Sequence, residues 1–140
     1  MNGIKLRGLG RCVPAQSVTN DDLAKTVDTS DAWITARTGI RSRRRCTEET
    51  HTELCVTAAR RALAQAGITP ADIGACIVAT VSADTIVPSA ACMLQRELGM
   101  PEDTPCFDLN AACTGFIYAL HTMECLLNAS PRKFGLVVGA

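Results

Sequence analysis

Cys113 stands in Phe107-Asp108-Leu109-Asn110-Ala111-Ala112-Cys113-Thr114-Gly115-Phe116, where an apolar strand-like run gives way to a small-residue turn and then to a long helical pattern. The spacing predicts a thiol at a helix N-terminus. The first N–H groups of a helix lack intrahelical partners and carry partial positive charge, so they favour a thiolate over a thiol. Small neighbours admit a substrate carbonyl to the sulfur, and the local backbone N–H groups are placed to hold an oxyanion. Cys113 is therefore the candidate nucleophile, weighed against the buried, inert role that most free cysteines have.

Other residues carry weaker signals. Trp33, the single tryptophan, lies among Ser30, Asp31, Thr35 and Arg37 rather than in an apolar run. Arg41, Arg43, Arg44 and Arg45 form a basic cluster that reads either as a contact for phosphates or an acidic partner, or as a solvated strand edge. The two histidines, His51 and His121, read as structural or solvated. His121 falls eight residues after Cys113 on one helix, about 12 Å along the axis and about 80° around it, too far for a direct hydrogen bond. His51 precedes a surface helix without a local partner that suggests catalysis. Gly8-Leu9-Gly10 has Val13 where a dinucleotide fingerprint places its third glycine. Asp21, Asp22, Asp28 and Asp31 lack calcium-loop spacing and read as caps and solvated charges. The cysteines show no zinc spacing, and no metal site is expected.

The elements that position these residues alternate between strand and helix. Ile4 to Leu9 is expected as a first strand. Thr19-Asn20-Asp21-Asp22 starts a short helix through about Val27, and Ser30 or Thr29 caps another through Arg37, stopped by Gly39. His51 to Ala66 is an amphipathic helix with Cys55, Ala59, Ala62, Leu63 and Ala66 on one stripe, closed by Gly67. Residues 75–81 are apolar without alternation, as in a parallel strand covered on both faces. Pro88 sits near the start of a helix to about Leu98, and 105–109 and 134–139 are further strands. The β-α-β-α-β order predicts an α/β fold with a mainly parallel sheet. The helix after Cys113 has one charged residue, Glu124, between Ala112 and Leu127. Such a helix must be covered from several sides, so a further layer or a partner is expected.

Composition narrows the class. The chain has 140 residues with 47% apolar and 20% charged residues, which reads as soluble and globular. Lys plus Arg and Asp plus Glu number 14 each, so no global charge favours nucleic acid or a membrane surface. Eight cysteines without a C-x-x-C pair, behind an N-terminus without an apolar signal segment, suggest reduced cytoplasmic thiols. No apolar run approaches the ~20 residues of a membrane-spanning helix.

The segment 110–116, Asn-Ala-Ala-Cys-Thr-Gly-Phe, closely resembles the nucleophile motif of the β-ketoacyl-acyl-carrier-protein synthase III enzymes, which start fatty-acid synthesis. The resemblance continues through Gly8-Leu9-Gly10-Arg11-Cys12-Val13-Pro14, residues 27–34, Arg37-Thr38-Gly39-Ile40-Arg41, Ala66-Gly67-Ile68, Pro88-Ser89-Ala90-Ala91-Cys92 and Val137-Val138-Gly139, in the family's order. It implies a thiolase-like fold, in which two βαβαβ halves pack as a five-layer αβαβα architecture. Residues 1–140 match the N-terminal half, with the C-terminal half absent from this chain. By the same resemblance Cys113 accepts an acyl group from acyl-CoA, while Thr29, Trp33 and Arg37 hold the nucleotide end of CoA. Val87 matches a position that reaches across a homodimer to close the partner's acyl pocket; the residue there is often aromatic, and valine leaves more room. The implied acceptor is malonyl-acyl carrier protein. No resident cofactor is implied, acyl-CoA being a substrate. The family's histidine and asparagine fall beyond residue 140, so these 140 residues alone are expected not to turn over. The alternatives are a starter-unit condensing enzyme of secondary metabolism, and a non-catalytic acyl-CoA-binding or dimerisation fragment.

Overall fold

A computed structural model describes residues 3–140. The chain divides into two compact units: Val13–Glu49, and Thr50–Ala140 together with the described residues before Val13.

In the larger unit the sequence alternates strand and helix as its periodicity predicts. Helix α3 (His51–Ala66) begins in a reciprocal capping box between Thr50 and Glu53 and closes at Gly67. It buries Cys55, Val56, Ala59 and Leu63. Strand β3 (Ile73–Ala79) is buried at every position. It pairs in parallel with β4 (Cys106–Leu109) on one side and with β5 (Phe134–Gly139) on the other, giving the order β4-β3-β5. Helix α4 (Ala90–Leu98), capped by the Ser89 hydroxyl, links β3 to β4, and α5 (Gly115–Ala129) links β4 to β5. Pro88 lies one residue before the cap, next to the first turn.

Both sheet faces are covered, which explains the unbroken apolar run of β3. Ile73, Cys76 and Val78 pack with α3 and α4 around Ala59, Leu63, Ala91 and Leu94. Ala75, Ile77 and Ala79 face the other way, onto Ala119 and Met123 of α5. These two residues, with Gly115, form the single buried stripe of α5. Phe116, Ile117 and Tyr118 lie outside it and are exposed, in keeping with a helix expected to meet a further layer.

The expected first strand, Ile4 to Leu9, is not formed. No strand pairs with this segment, and it lies against α3 instead. A Cβ on Gly8 would overlap the Ala62 carbonyl and Ala66, and one on Gly10 the Ala58 carbonyl. The two glycines thus give backbone-to-helix contact where a ladder was expected. The Gln65 side chain accepts the Leu9 N–H.

The smaller unit contains a pairing that the sequence did not announce. Strand β1 (Gln16–Thr19) runs antiparallel to β2 (Ser42–Arg45), with Gln16 opposite Arg45 and Thr19 opposite Ser42. Between them come α1 (Asn20–Ala24), opened by a Thr19–Asp22 capping box, and α2 (Asp31–Thr38), capped by the Ser30 hydroxyl and ended by Gly39. Ser30, not Thr29, is therefore the cap, and α1 stops short of Val27.

Candidate active site

Parallel strands place their connecting loops at one edge, and in α/β sheets the carboxyl edge is where ligands bind. The loop after β3 carries Val87, and the turn after β4 carries Cys113. Topology alone brings both sequence candidates of this unit to the same edge.

Cys113 occupies a single 3₁₀ turn, Ala112–Thr114, directly ahead of α5, and is exposed. Ala112 just before it has φ of 44°, in the left-handed region, where a side chain costs about 1–2 kcal/mol. The turn is braced at the Ala111 carbonyl, which accepts from the Thr114 N–H at 3.2 Å and the Thr114 hydroxyl at 2.9 Å. A strained backbone thereby lifts the thiol out of the fold at the mouth of a helix.

The loop bearing Val87 is tied down at its start and open at its tip. Asp84 accepts from the His51 N–H at 3.0 Å, and from the Thr52 N–H and hydroxyl at 2.8 and 2.7 Å. The Thr52 hydroxyl, with the Thr52 and His51 N–H groups, holds the Asp84 carboxyl below its usual range. Beyond this anchor Ile86 and Val87 are 94% and 84% exposed. On the far side, the half-buried Asp108 of β4 accepts the Ala90 and Ala91 N–H groups at 2.8 and 2.9 Å, fixing the start of α4 to the strand that leads to Cys113.

His51 has partners that its sequence context did not suggest. Its Nε2 lies 3.0 Å from the Thr80 hydroxyl, and Cys55 Sγ lies 3.7 Å from Nδ1. The pair has the look of a Cys–His dyad, but Cys55 is 2% exposed, and burial with Asp84 and Asp108 nearby pushes its thiol up to about 11. A buried thiol held protonated is no nucleophile. Cys92 also falls in a first helical turn, in α4, yet its thiol turns toward the Cys106 carbonyl at 3.6 Å. Helix-start placement is therefore shared by two cysteines, and exposure separates them.

In the smaller unit Trp33 and Arg37 sit one turn apart on α2. The guanidinium lies 4.3 Å from the ring centroid, and Trp33 is 54% exposed. An exposed cationic, planar pair suits a purine base and its phosphates. Thr29 is half-buried just before the Ser30 cap. The basic cluster divides: Arg43 bonds Asn20 Oδ1 at 2.7 Å, and Arg44 bonds the Ala15 carbonyl at 2.9 Å. Two of its four arginines are thus engaged in holding β2 to its own unit. Asn20, read from sequence as helix-start chemistry alone, is buried, and nothing in the local pattern signals this.

A three-stranded parallel βαβαβ unit with an exposed cysteine in a strained turn at its carboxyl edge has the architecture expected of one half of a thiolase-like fold, and the solved structures named below share it. The family description 3-oxoacyl-[acyl-carrier-protein (ACP)] synthase III matches residues 107–140. The chain is 47% identical to the β-ketoacyl-[acyl-carrier-protein] synthase III of Clostridium acetobutylicum, over 99% of its own length and 42% of that relative's. It is 47% identical to the Natranaerobius thermophilus protein of the same name, covering 100% of the chain and 43% of the relative. Among solved structures, the 3-oxoacyl-[acyl-carrier-protein] synthase III from Aquifex aeolicus superimposes with a TM-score of 0.91 at 42% identity, over 99% of this chain and 44% of that one. The priming β-ketosynthase of the R1128 polyketide pathway gives 0.90 at 35% identity, over 96% and 40%. The chain belongs to the β-ketoacyl-acyl-carrier-protein synthase III family, and it spans about two fifths of the length of the curated relatives it matches.

Proposed function

We propose that the chain supplies the nucleophile and the CoA-binding face of a condensing acyltransferase that begins fatty-acid synthesis. The observation that carries this reading is Cys113, exposed in a strained turn at the carboxyl edge of a parallel sheet. As thiolate, Cys113 attacks the carbonyl of a short acyl-CoA such as acetyl-CoA. The C–S bond to CoA breaks, CoA leaves as its thiolate and takes from solvent the proton that Cys113 gave up, and the acyl group rests on Cys113 as a thioester. Malonyl-acyl carrier protein then loses CO2, and the resulting carbanion attacks that thioester, releasing the Cys113 sulfur and a β-ketoacyl product. Backbone N–H groups at the start of α5 stabilise the oxyanions. The histidine and asparagine that assist decarboxylation come from a C-terminal half, which also covers Phe116, Ile117 and Tyr118.

Trp33, Arg37 and Thr29 hold the nucleotide end of CoA by stacking, charge and hydrogen bonding. Val87 lines the acyl pocket across a homodimer, and its small side chain admits primers longer or more branched than acetyl. The reaction needs no resident cofactor or metal, and the enzyme works in the cytoplasm. No helix of the described residues is long and apolar enough to cross a membrane. A second reading, priming of a polyketide, is favoured by the likeness to the R1128 priming β-ketosynthase; it keeps the same Cys113 chemistry and differs in the carrier served.

The test is peptide mapping of the enzyme, both halves present, after brief exposure to acetyl-CoA. One acetyl group on the Cys113 peptide, absent in Cys113→Ala, is expected, followed by β-ketoacyl product when malonyl-carrier protein is added. Acetylation of another cysteine, or product from the Ala variant, overturns the reading.

A further inference from the structure

Helix α2, which carries Trp33 and Arg37, buries none of its residues. Apolar packing therefore does not fix its place within Val13–Glu49. Only one residue of this unit is buried among the described residues, and it is polar: Asn20, 1% exposed. Its side chain is fully used. Nδ2 donates to Asp31 Oδ1 at 2.8 Å and to the Ile40 carbonyl at 2.8 Å, with the Thr35 hydroxyl further off at 3.4 Å. Oδ1 accepts from Arg43 Nη2 at 2.7 Å. Arg43 also reaches the Val18 carbonyl, and the Asn20 N–H donates to the Arg41 carbonyl. One amide thus joins α1, the first turn and middle of α2, the turn after it, and β2, with β1 reached through Arg43.

From this arrangement we infer that Asn20 is the positioning residue for the nucleotide-gripping face of α2. Asp31 and Thr35 flank Trp33 on the same helix, and Asp31 further accepts from the Thr35 hydroxyl at 3.2 Å. The bonds from Asn20 therefore set the rotation and height of α2, and with them the directions in which Trp33 and Arg37 present. The chemistry requires an amide. Aspartate at position 20 would keep the bond from Arg43 but would set one carboxylate against another at Asp31 and leave the Ile40 carbonyl without its donor. A hydrophobic residue of similar size would strand Asp31 and Arg43 together.

The inference rests on the reading that α2 holds the nucleotide of CoA, and the experiment separates the two. Steady-state kinetics of the complete enzyme are measured with acetyl-CoA and with acetyl-pantetheine, which carries the same thioester without the nucleotide. Asn20→Asp is expected to raise KM for acetyl-CoA about tenfold, the equivalent of one hydrogen bond to a charged group, with kcat within about twofold and the acetyl-pantetheine constants unmoved. In Asn20→Asp/Asp31→Asn, donor and acceptor exchange places, and most of the KM defect is expected to be rescued. If the single variant does not fold, the exchanged pair is compared with Asp31→Asn alone, and a KM within about threefold of it is expected. A purely structural role would instead lower kcat for both substrates, or raise both KM values together, and either result overturns the inference. So does an unchanged acetyl-CoA KM in Asn20→Asp when Trp33→Ala raises it. If Trp33→Ala leaves that KM unchanged, the nucleotide reading fails first and the inference falls with it.

Discussion

Two cysteines compete for the role of nucleophile on geometry alone, and alkylation separates them. Cys55 has a histidine 3.7 Å from its sulfur, whereas Cys113 has no such neighbour among the described residues but is exposed. With the Cys55 thiol pushed up to about 11, its thiolate fraction at pH 7.5 is about 1 in 3,000, against about 1 in 10 for an ordinary exposed thiol near 8.5. Ionisation alone therefore slows Cys55 about 300-fold, and burial at 2% exposure slows it further. The assay is a time course of iodoacetamide labelling at pH 7.5 on the folded enzyme, read by peptide mass spectrometry, with and without prior incubation with acetyl-CoA. The exposed thiols Cys46, Cys113 and Cys125 are expected to label within minutes and Cys55 only after hundreds of times longer, while acetyl-CoA protects Cys113 alone. Labelling of Cys55 at the rate of the exposed cysteines, or its protection by acetyl-CoA, would refute the argument from burial and return the His51–Cys55 pair to candidacy.

The same raised thiol makes stability pH-dependent. Below about 9, Cys55 is protonated in folded and unfolded chains alike; between about 9 and about 11 only the unfolded chain ionises, so stability falls across that window, and Cys55→Ala should lessen that fall in urea titrations, the raised Cys76 thiol supplying the remainder. Asp108→Ala strips a half-buried carboxylate from two N–H groups of α4 and should cost about 3 kcal/mol, with a loss under about 0.5 kcal/mol counting against the cap. Ala112→Gly removes the strain at φ of 44° at the expense of unfolded-state freedom, so the net change in stability should be within about 1 kcal/mol, while acylation of Cys113 slows as its turn loosens. Val87→Phe should narrow primer use toward acetyl-CoA; an unaltered preference between acetyl-CoA and a branched acyl-CoA would remove Val87 from the pocket.

What could be read directly from the sequence was whatever depends on neighbours along the chain. The starts and stops of α2 and α3, the doubly covered strand β3, and the turn that presents Cys113 follow from caps, glycine stops and apolar periodicity, all satisfied within a few residues. Tertiary structure decided the rest, because the deciding partners are remote. Ile4 to Leu9 has strand composition, but the close approach of Gly8 and Gly10 to α3 lays its backbone against a helix rather than along a sheet edge. Ser42–Arg45 reads as a strand edge, but only the folded chain names Gln16–Thr19 as the strand it pairs with. Asn20 reads as part of a helix cap, and only the return of Asp31, Ile40 and Arg43 to its amide makes it the buried centre of its unit. His51 meets Cys55 one turn along its own helix, and acquires Thr80 from across the fold, 29 residues away. A hydrogen-bonding side chain has the same composition whether its partner is water or a distant backbone group, so only the folded chain distinguishes a solvated residue from an organising one.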